Sequence, residues 1–215
     1  MTGPATRLFV LTIGRSGSTA FAAACSHSTR FTVGHESRSR LLLPERLQYP
    51  DSHIEVDNRL VHYLELLAEQ YSEDAGFVYL TRDPKAIVDS YLRRWHLSIS
   101  AVRAHGTSTL LRAGGIDRDD RRQITWDYVR LLDTRIRWHM ARHEHSYELD
   151  GAELRSQLAA FWDHFHLGDG VKEAAAALEE SYNLNSHLGT QARLQRIAAK
   201  GARVLKALPA FVADA

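Results

Sequence analysis

The sequence has a single cysteine, almost no net charge and no long apolar run, and each shortage excludes a class of protein. Cys25 is the only cysteine among 215 residues, which excludes an internal disulfide or a multi-cysteine zinc site and suits a reducing compartment. Lys and Arg number 27 against 26 acidic residues, so the overall charge favours neither nucleic acid nor an anionic membrane as a partner. The apolar run Leu8–Ile13 is too short for a signal-peptide core or a membrane span. We therefore expect a cytoplasmic protein in which any anion site is local.

The residue pattern indicates one α/β domain over residues 1–215. A hydrophobic fraction of 44% with 25% charged residues is typical of a globular protein. Arg7–Ile13 is apolar and β-branched without alternation, which predicts a strand buried on both faces of a parallel sheet. Further strands are predicted at 31–34, 53–56, 76–81 and 146–149, and helices through Cys25 and at 59–71, 84–95, 121–142 and 152–165. Strands that alternate with helices predict a central parallel sheet flanked by helices, followed by a helical C-terminal part.

Two stretches interrupt this pattern. Residues 96–120 contain glycines at 106, 114 and 115 and show no sustained period, so we predict an irregular segment suited to a lid or an acceptor loop. Residues 181–189 are mostly polar and predict a break between two helices, which serves as a connecting loop or as a cover over a site.

A glycine loop, Gly14-Arg-Ser-Gly-Ser-Thr19, joins the first predicted strand to a helix. Such a loop collects free backbone N–H groups at the positive end of the helix, which favours a bound phosphate or sulfate. The nucleoside-triphosphatase motif needs four residues between its glycines and then a lysine, and this loop has neither. The dinucleotide fingerprint fails as well, because only Gly14 and Gly17 are present. The loop therefore predicts an anion site of another kind, and a glycine turn that serves only packing is the alternative.

The loop resembles the 5′-phosphosulfate-binding loop of sulfotransferases, in which a basic residue precedes Ser-Gly and two hydroxyl residues follow. The resemblance implies a three-layer P-loop-like fold and the co-substrate 3′-phosphoadenosine-5′-phosphosulfate (PAPS), with no metal ion. It further implies that the loop holds the 5′-phosphate and the sulfuryl oxygens, with Arg15 facing the bridging oxygen that gains charge. The loop residues concerned are Gly14, Arg15, Ser16, Gly17, Ser18 and Thr19.

A second motif has Arg82 at the end of a predicted strand and Ser90 eight residues later in the following helix. Sulfotransferases carry this Arg and Ser pair at this spacing, and the resemblance implies that the two residues hold the 3′-phosphate. An arginine can fork two N–H donors onto a phosphate, and a serine adds a hydroxyl donor. A local pair between Arg82 and Asp83 is the alternative interpretation. The strand and helix around Tyr147–Asp150 resemble the family's late strand and its helix, whereas the family's C-terminal basic motif is not evident.

Sulfuryl transfer needs a group that takes the proton of the acceptor, and several sulfotransferase families place a Glu or His at the end of the second strand. That strand delivers His35 and Glu36 to the sheet edge that carries the glycine loop. We predict Glu36 as the general base and keep His35 as the alternative. A surface pair between Glu36 and Arg38 or Arg40 is the structural interpretation of the same residue.

Other polar residues have simpler explanations. Asp57 is suited to orienting a metal ion in a phosphate-transferring enzyme, but helix capping explains it equally well. Arg59 is interpreted as a salt-bridged helix start rather than a ligand contact. His139 and His143 share one helix face without the Glu of a metalloprotease helix, so together with His145 they predict an exposed or interface face rather than a metal site.

Three functions remain open at this point. The favoured one is sulfuryl transfer from PAPS to a hydroxyl or amine acceptor. A nucleotide or small-molecule kinase is the first alternative, although the missing lysine counts against it, and a non-catalytic module that binds 3′-phosphoadenosine nucleotides is the second. The identity of the small-molecule or biosynthetic acceptor and the oligomeric state are not encoded in any motif.

Overall fold

A computed structural model describes residues 5–71, 74–97, 100–112 and 116–187, with side chains up to residue 180. The chain divides into two units, Met1–Ala177 and Leu178–Ala215, and the fold described below is that of the first. Its strands are β1 (Arg7–Leu11), β2 (Thr32–His35), β3 (His53–Val56), β4 (Ala75–Thr81) and β5 (Ser146–Asp150). Its α-helices are α1 (Ser18–Cys25), α2 (Leu64–Tyr71), α3 (Pro84–Leu92), α4 (Ala101–Ala104), α5 (Arg118–Met140), α6 (Leu154–His164) and α7, which spans Val171–His187 and passes into the second unit. Short 3-10 turns lie at Glu45–Leu47 and Asn58–Tyr63, and a π turn at His105–Thr109.

The strands form one parallel sheet in the order β2-β3-β1-β4-β5. Its central strand β1 is fully buried from Leu8 to Leu11, as expected for a parallel strand covered on both faces. Because all strands run in the same direction, their carboxyl ends lie along a single edge. The prediction of a central parallel sheet flanked by helices is confirmed.

Alternate residues of β1 pack against different helical layers. Phe9 and Leu11 belong to one apolar core together with residues of α2, α3 and α5. On the other face, α1 and α6 meet through Phe21 and Phe161, whose ring centroids are 5.3 Å apart. The result is the three-layer, P-loop-like arrangement expected from the sequence.

Two predictions for irregular stretches are wrong over part of their length. Residues 101–109 are helical inside the segment predicted to be irregular, because Val102 and His105 are buried and the His105 ring bonds Asp127 on α5 at 2.8 Å. The predicted break is also helical as far as residue 187, where α7 continues from an alanine-rich stretch that favours helix propagation; residues 188 and 189 lie outside the described part. Two statements stay predictions, namely that residues 96–120 serve as a lid or an acceptor loop and that residues 1–215 form a single domain.

Among the helices that the structure describes, none has the length and apolar character needed to cross a membrane.

Candidate functional site

The functional residues predicted from the sequence follow the strands at the carboxyl edge of the sheet. The glycine loop follows β1, Glu36 follows β2, Asp57 follows β3 and Arg82 follows β4. The chain leaves β1 toward the β2 edge, and it leaves the neighbouring strand β4 toward the β5 edge. Ligands of open α/β sheets bind in the crevice that forms where adjacent strands diverge in this way. This rule predicts a ligand site between the glycine loop and Arg82.

The glycine loop is held in a tight conformation that leaves its upper side open. Gly14 has a φ of +90°, and a β-carbon there would lie 2.5 Å from the hydroxyl of Tyr91, which donates to Ile13 O at 2.7 Å. Gly17 has a φ of +88° and caps α1, with nothing within 4 Å of the place where a β-carbon would lie. Both positions therefore require glycine, the first for contact with Tyr91 and the second for its left-handed backbone.

The start of α1 offers donors without partners inside the helix. Phe21 N donates to Gly17 O at 3.0 Å, so the N–H groups of Ser18 and Thr19 precede the first hydrogen bond of the helix. Ser18 is half-buried and Thr19 is exposed. Ser16 is 3% exposed, and its hydroxyl has no hydrogen-bond partner among the described residues. A buried hydroxyl without a partner is rare in folded proteins, and here it lies in the loop predicted to bind an anion.

Two arginines and a serine from separate motifs converge beside this loop. Arg15 Nε donates to Ser90 Oγ at 3.2 Å, and Arg82 Nη1 donates to Arg15 O at 2.5 Å. Ser90 is buried on α3, whose preceding residue Asp83 caps the helix by accepting from its first N–H groups. The loop motif and the Arg82/Ser90 motif thus form one continuous surface.

The surface is strongly cationic. The pKa of Arg15 is lowered, first by burial and then by the nearby charge of Arg94, with smaller effects from Arg82 and Arg93. Within the described part of the chain, Arg15, Arg82 and Arg94 have no carboxylate within ion-pair distance. Clustered guanidinium groups without acidic partners favour a bound anion.

The end of β2 brings both candidate bases to the same edge. His35 Nε2 lies 3.4 Å from Ser18 Oγ, which links β2 to the start of α1. Glu36 Oε2 lies 3.4 Å from Arg59 Nη1, and both side chains are partly exposed, at 39% and 48%. The structural alternative for Glu36 therefore involves Arg59 instead of Arg38 or Arg40. The interpretation of Arg59 as a salt-bridged helix start is confirmed.

Asp57 at the end of β3 has a structural role. Its Oδ2 accepts from the buried guanidinium of Arg46 at 2.6 Å, and its Oδ1 accepts from the N–H of Arg59 at 2.8 Å, which caps a 3-10 turn. Both carboxylate oxygens are engaged by the protein, which explains the residue without a metal ion.

Asn58, next along the chain, was missed by sequence reasoning. Its Oδ1 is buried and has no hydrogen-bond partner among the described residues. Its Nδ2 lies 3.2 Å from the point where a β-carbon on Gly14 would stand, so the amide lies against the glycine loop. Arg94 was missed as well; it stands two residues beyond the end of α3, and its charge lowers the pKa of Arg15.

The histidines of α5 do not belong to this site. His139 is buried against Phe77, with ring centroids 4.4 Å apart, and its ring lies 4.1 Å from that of His143. The prediction of an exposed or interface face is therefore wrong for His139, because the ring is buried within this chain against Phe77. In the described ranges, no group of three or more His, Cys, Asp or Glu side chains is arranged to hold a metal ion.

Comparisons with known proteins give the chain no family. No family model matches it, and no curated protein matches its sequence. Among solved structures, it is similar to the YorR protein of Bacillus subtilis, which was crystallised in complex with phosphorylated GDP. The two are 14% identical, the match covers 85% of this chain and 99% of that chain, and the TM-score is 0.40. At these values the similarity carries no functional argument.

Proposed function

We propose that the protein is a sulfotransferase that moves a sulfuryl group from PAPS to a hydroxyl or amine acceptor by in-line displacement. The observation that carries the proposal is the contact of Arg15 Nε with Ser90 Oγ at 3.2 Å, together with that of Arg82 Nη1 with Arg15 O. In the sulfotransferases that these motifs resemble, the glycine loop with its basic residue takes one anionic group of the donor, and the Arg and Ser pair takes a second. PAPS has them, with a phosphosulfate at the 5′ position and a phosphate at the 3′ position.

Each group of the donor has a matching set of residues in this proposal. The N–H groups of the loop and the hydroxyls of Ser16, Ser18 and Thr19 bind the 5′-phosphate and the sulfuryl oxygens. Ser16 Oγ, buried and without a partner, gains a hydrogen bond when the donor is present. Arg82 and Ser90 bind the 3′-phosphate through charge-assisted hydrogen bonds.

In the reaction, the acceptor oxygen or nitrogen forms a bond to sulfur while the bond between sulfur and the bridging oxygen breaks. The electron pair leaves with that oxygen on 3′-phosphoadenosine-5′-phosphate (PAP), and Arg15 meets the developing charge. Glu36 takes the proton of the acceptor. Its contact with Arg59 is partly exposed and is therefore weak enough for a ligand to displace. His35, which contacts Ser18, is the alternative base.

The kinase alternative is less well supported. It would use Asp57 to help hold magnesium, but both oxygens of that carboxylate are already bonded to Arg46 and to the Arg59 N–H. A non-catalytic module that binds 3′-phosphoadenosine nucleotides would use the same cations and would have no need of Glu36.

Calorimetric titration tests the proposal. Wild type should bind PAP more tightly than ADP or ATP, with little effect of Mg²⁺. The Arg82→Ala/Ser90→Ala double variant should lose this preference, because each charge-assisted hydrogen bond contributes about 1.5–3 kcal/mol. Tighter binding of ATP by wild type, strengthened by Mg²⁺, would exclude the sulfotransferase and favour the kinase. Tight PAP binding with no transfer to any acceptor would favour the binding module.

A further inference from the structure

Glu55 on β3 is a fully buried carboxylate to which the proposed reaction gives no role. It is 0% exposed. Its Oε1 accepts from Ser37 N at 2.8 Å, and its Oε2 accepts from the Ser37 hydroxyl and lies 3.2 Å from His53 Nε2. Burial alone would raise the pKa of Glu55, but hydrogen bonds from His53 and Ser37 outweigh it and the pKa is lowered. Apolar side chains often serve stability as well as a buried charge does, so this carboxylate points to a need for defined geometry.

The carboxylate holds the chain directly after Glu36. Glu36 has a φ of +53°, in the left-handed region that residues other than glycine seldom adopt. Its own N–H donates to Val56 O at 3.0 Å, and the N–H of Ser37 donates to the side chain of Glu55. The peptide that joins Glu36 to Ser37 is therefore held from both sides in one orientation.

Gly34 leaves the space that this arrangement needs. It is paired in register with Glu55, so both residues direct their side-chain positions to the same face of the sheet. A β-carbon on Gly34 would lie 2.8 Å from Ser37 Oγ and would also meet Glu55 Oε2. His53 is fixed in turn, since its Nδ1 lies 2.9 Å from Thr32 Oγ1. Residues of both β2 and β3 thus hold the one carboxylate in place.

The side chain of Glu36 lies on the side of the glycine loop. Its Oε2 lies 3.4 Å from Arg59 Nη1 and it is 39% exposed. The hydroxyl of Tyr91 donates to Ile13 O at 2.7 Å, directly before the loop. Burial raises the pKa of Tyr91, the charge of Arg15 lowers it, and the charges of Glu36 and Arg59 act on it in opposite directions. The base and the basic residue of the loop are therefore close to the same tyrosine.

A general base works only where its carboxylate meets the proton of the acceptor, and a displacement of about 1 Å can lower the rate about 100-fold. We propose that Glu55 is a positioning residue that holds Glu36 in its left-handed conformation through Ser37, an inference that rests on the proposed sulfotransferase function. Glu55 is buried and does not touch the reactants. It acts through the backbone that carries the base.

A double-mutant cycle tests the proposal. Glu55→Leu removes both acceptor oxygens and should lower kcat by about 10- to 100-fold with the affinity for PAP unchanged. The rate is the release of PAP from PAPS with 4-methylphenol as acceptor, or with water where the phenol has no effect. In the Glu36→Gln background the same change should alter kcat by less than about twofold, because a residue that acts only through Glu36 then has no base left to position.

Three further variants separate positioning from loss of stability. Glu55→Gln keeps an oxygen for the Ser37 N–H and should recover part of the rate. Ile54→Ala changes the neighbouring buried residue, which faces the other side of the sheet; it should lower the Tm and leave kcat within about twofold. If Glu55→Leu does not fold, Ser37→Ala takes its place, and its smaller loss of kcat should also disappear in the Glu36→Gln background.

Crystal structures give a readout that does not depend on turnover. The φ of Glu36 should stay positive in wild type and leave the left-handed region in the variant that loses kcat. An unchanged φ in that variant, or an equal loss of kcat in both backgrounds, would overturn the role of Glu55 and leave the sulfotransferase function intact. Failure of wild type to bind PAP or to release it from PAPS would refute the sulfotransferase function itself, and the proposal with it.

Discussion

Replacing Arg15 by methionine tests whether this side chain is needed for ligand binding or for the stability of the fold. In the ligand-free protein the pKa of Arg15 is lowered by burial and by the charges of Arg94, Arg82 and Arg93. A base with a lowered pKa is less favourable in its charged form than it would be in water. Methionine keeps much of the aliphatic stem and removes this charge, so the variant relieves a repulsion that the wild type carries.

The relief is opposed by one lost hydrogen bond. Ser90 is 6% exposed and accepts from Arg15 Nε at 3.2 Å, and leaving its hydroxyl without that donor costs about 1 kcal/mol. The two effects have opposite signs, so we expect the Tm of ligand-free Arg15→Met to stay within about 4 °C of wild type. Ligand binding has no such compensation. Losing a charge-assisted hydrogen bond of about 1.5–3 kcal/mol weakens PAP binding by about 10- to 100-fold.

Thermal unfolding with and without PAP, together with calorimetry, measures both quantities. Arg130→Met is a suitable control, because Arg130 is exposed on α5 and its replacement changes the net charge by the same amount. The control should bind PAP as wild type does. The reasoning is refuted if Arg15→Met binds PAP with unchanged affinity, or if the ligand-free variant loses 10 °C or more in Tm.

Three further predictions follow from single contacts. Glu36→Gln should lower kcat by about 100-fold with PAP affinity unchanged, as expected on losing a general base. His35→Ala should lower kcat less. The reverse result in steady-state assays would assign the base to His35. Burial lowers the pKa of His139 in the folded protein to about 4. As the pH falls, the unfolded chain therefore takes up a proton at His139 before the folded chain does, and the free energy of unfolding should decrease by about 1–2 kcal/mol between pH 7 and pH 5. Urea unfolding of wild type and His139→Phe measures this, and an equal fall in both would assign it to other groups. Gly14→Ala should lower the Tm and abolish PAP binding in a thermal-shift assay, because its β-carbon would lie 2.5 Å from the Tyr91 hydroxyl; unchanged values would show that the loop can rearrange.

The sequence predicts the sheet well because parallel strands leave a clear local signal. Leu8–Leu11 and Phe77–Leu80 are buried in the structure and read as apolar runs without alternation. The glycine loop and the capped start of α3 at Asp83 are local patterns too, so their place after a strand could be predicted. The wrong prediction at residues 181–187 arose because polar residues with modest helix propensity continue a helix that has already started.

The contacts that define the candidate site are not local. Arg15 and Ser90 are 75 residues apart in sequence, and their hydrogen bond depends on β1 and β4 being neighbours. The buried state of Asn58 Oδ1 depends on the same topology. Arg94 lies beyond the end of α3, and the effect of its charge on the pKa of Arg15 depends on tertiary structure that no local pattern shows.

An unsatisfied hydroxyl beside unpaired cations makes the glycine loop the candidate site. A missing hydrogen bond alone does not mark a site, because the Nε2 atoms of His139 and His145 are also buried without a partner among the described residues. Where buried charge serves the fold it is paired, as for Arg46 and Asp57 at 2.6 Å. The glycine loop instead combines an unbonded Ser16 hydroxyl with the guanidinium of Arg15, whose pKa is lowered by burial and by neighbouring arginines. These groups destabilise the ligand-free protein, and an anion that satisfies them binds the folded chain alone and raises its stability by about 2.7 kcal/mol at a hundred times its Kd. Inorganic sulfate should therefore raise the Tm of wild type more than that of Arg15→Met, and an equal rise in both would place the anion-binding groups elsewhere on the surface.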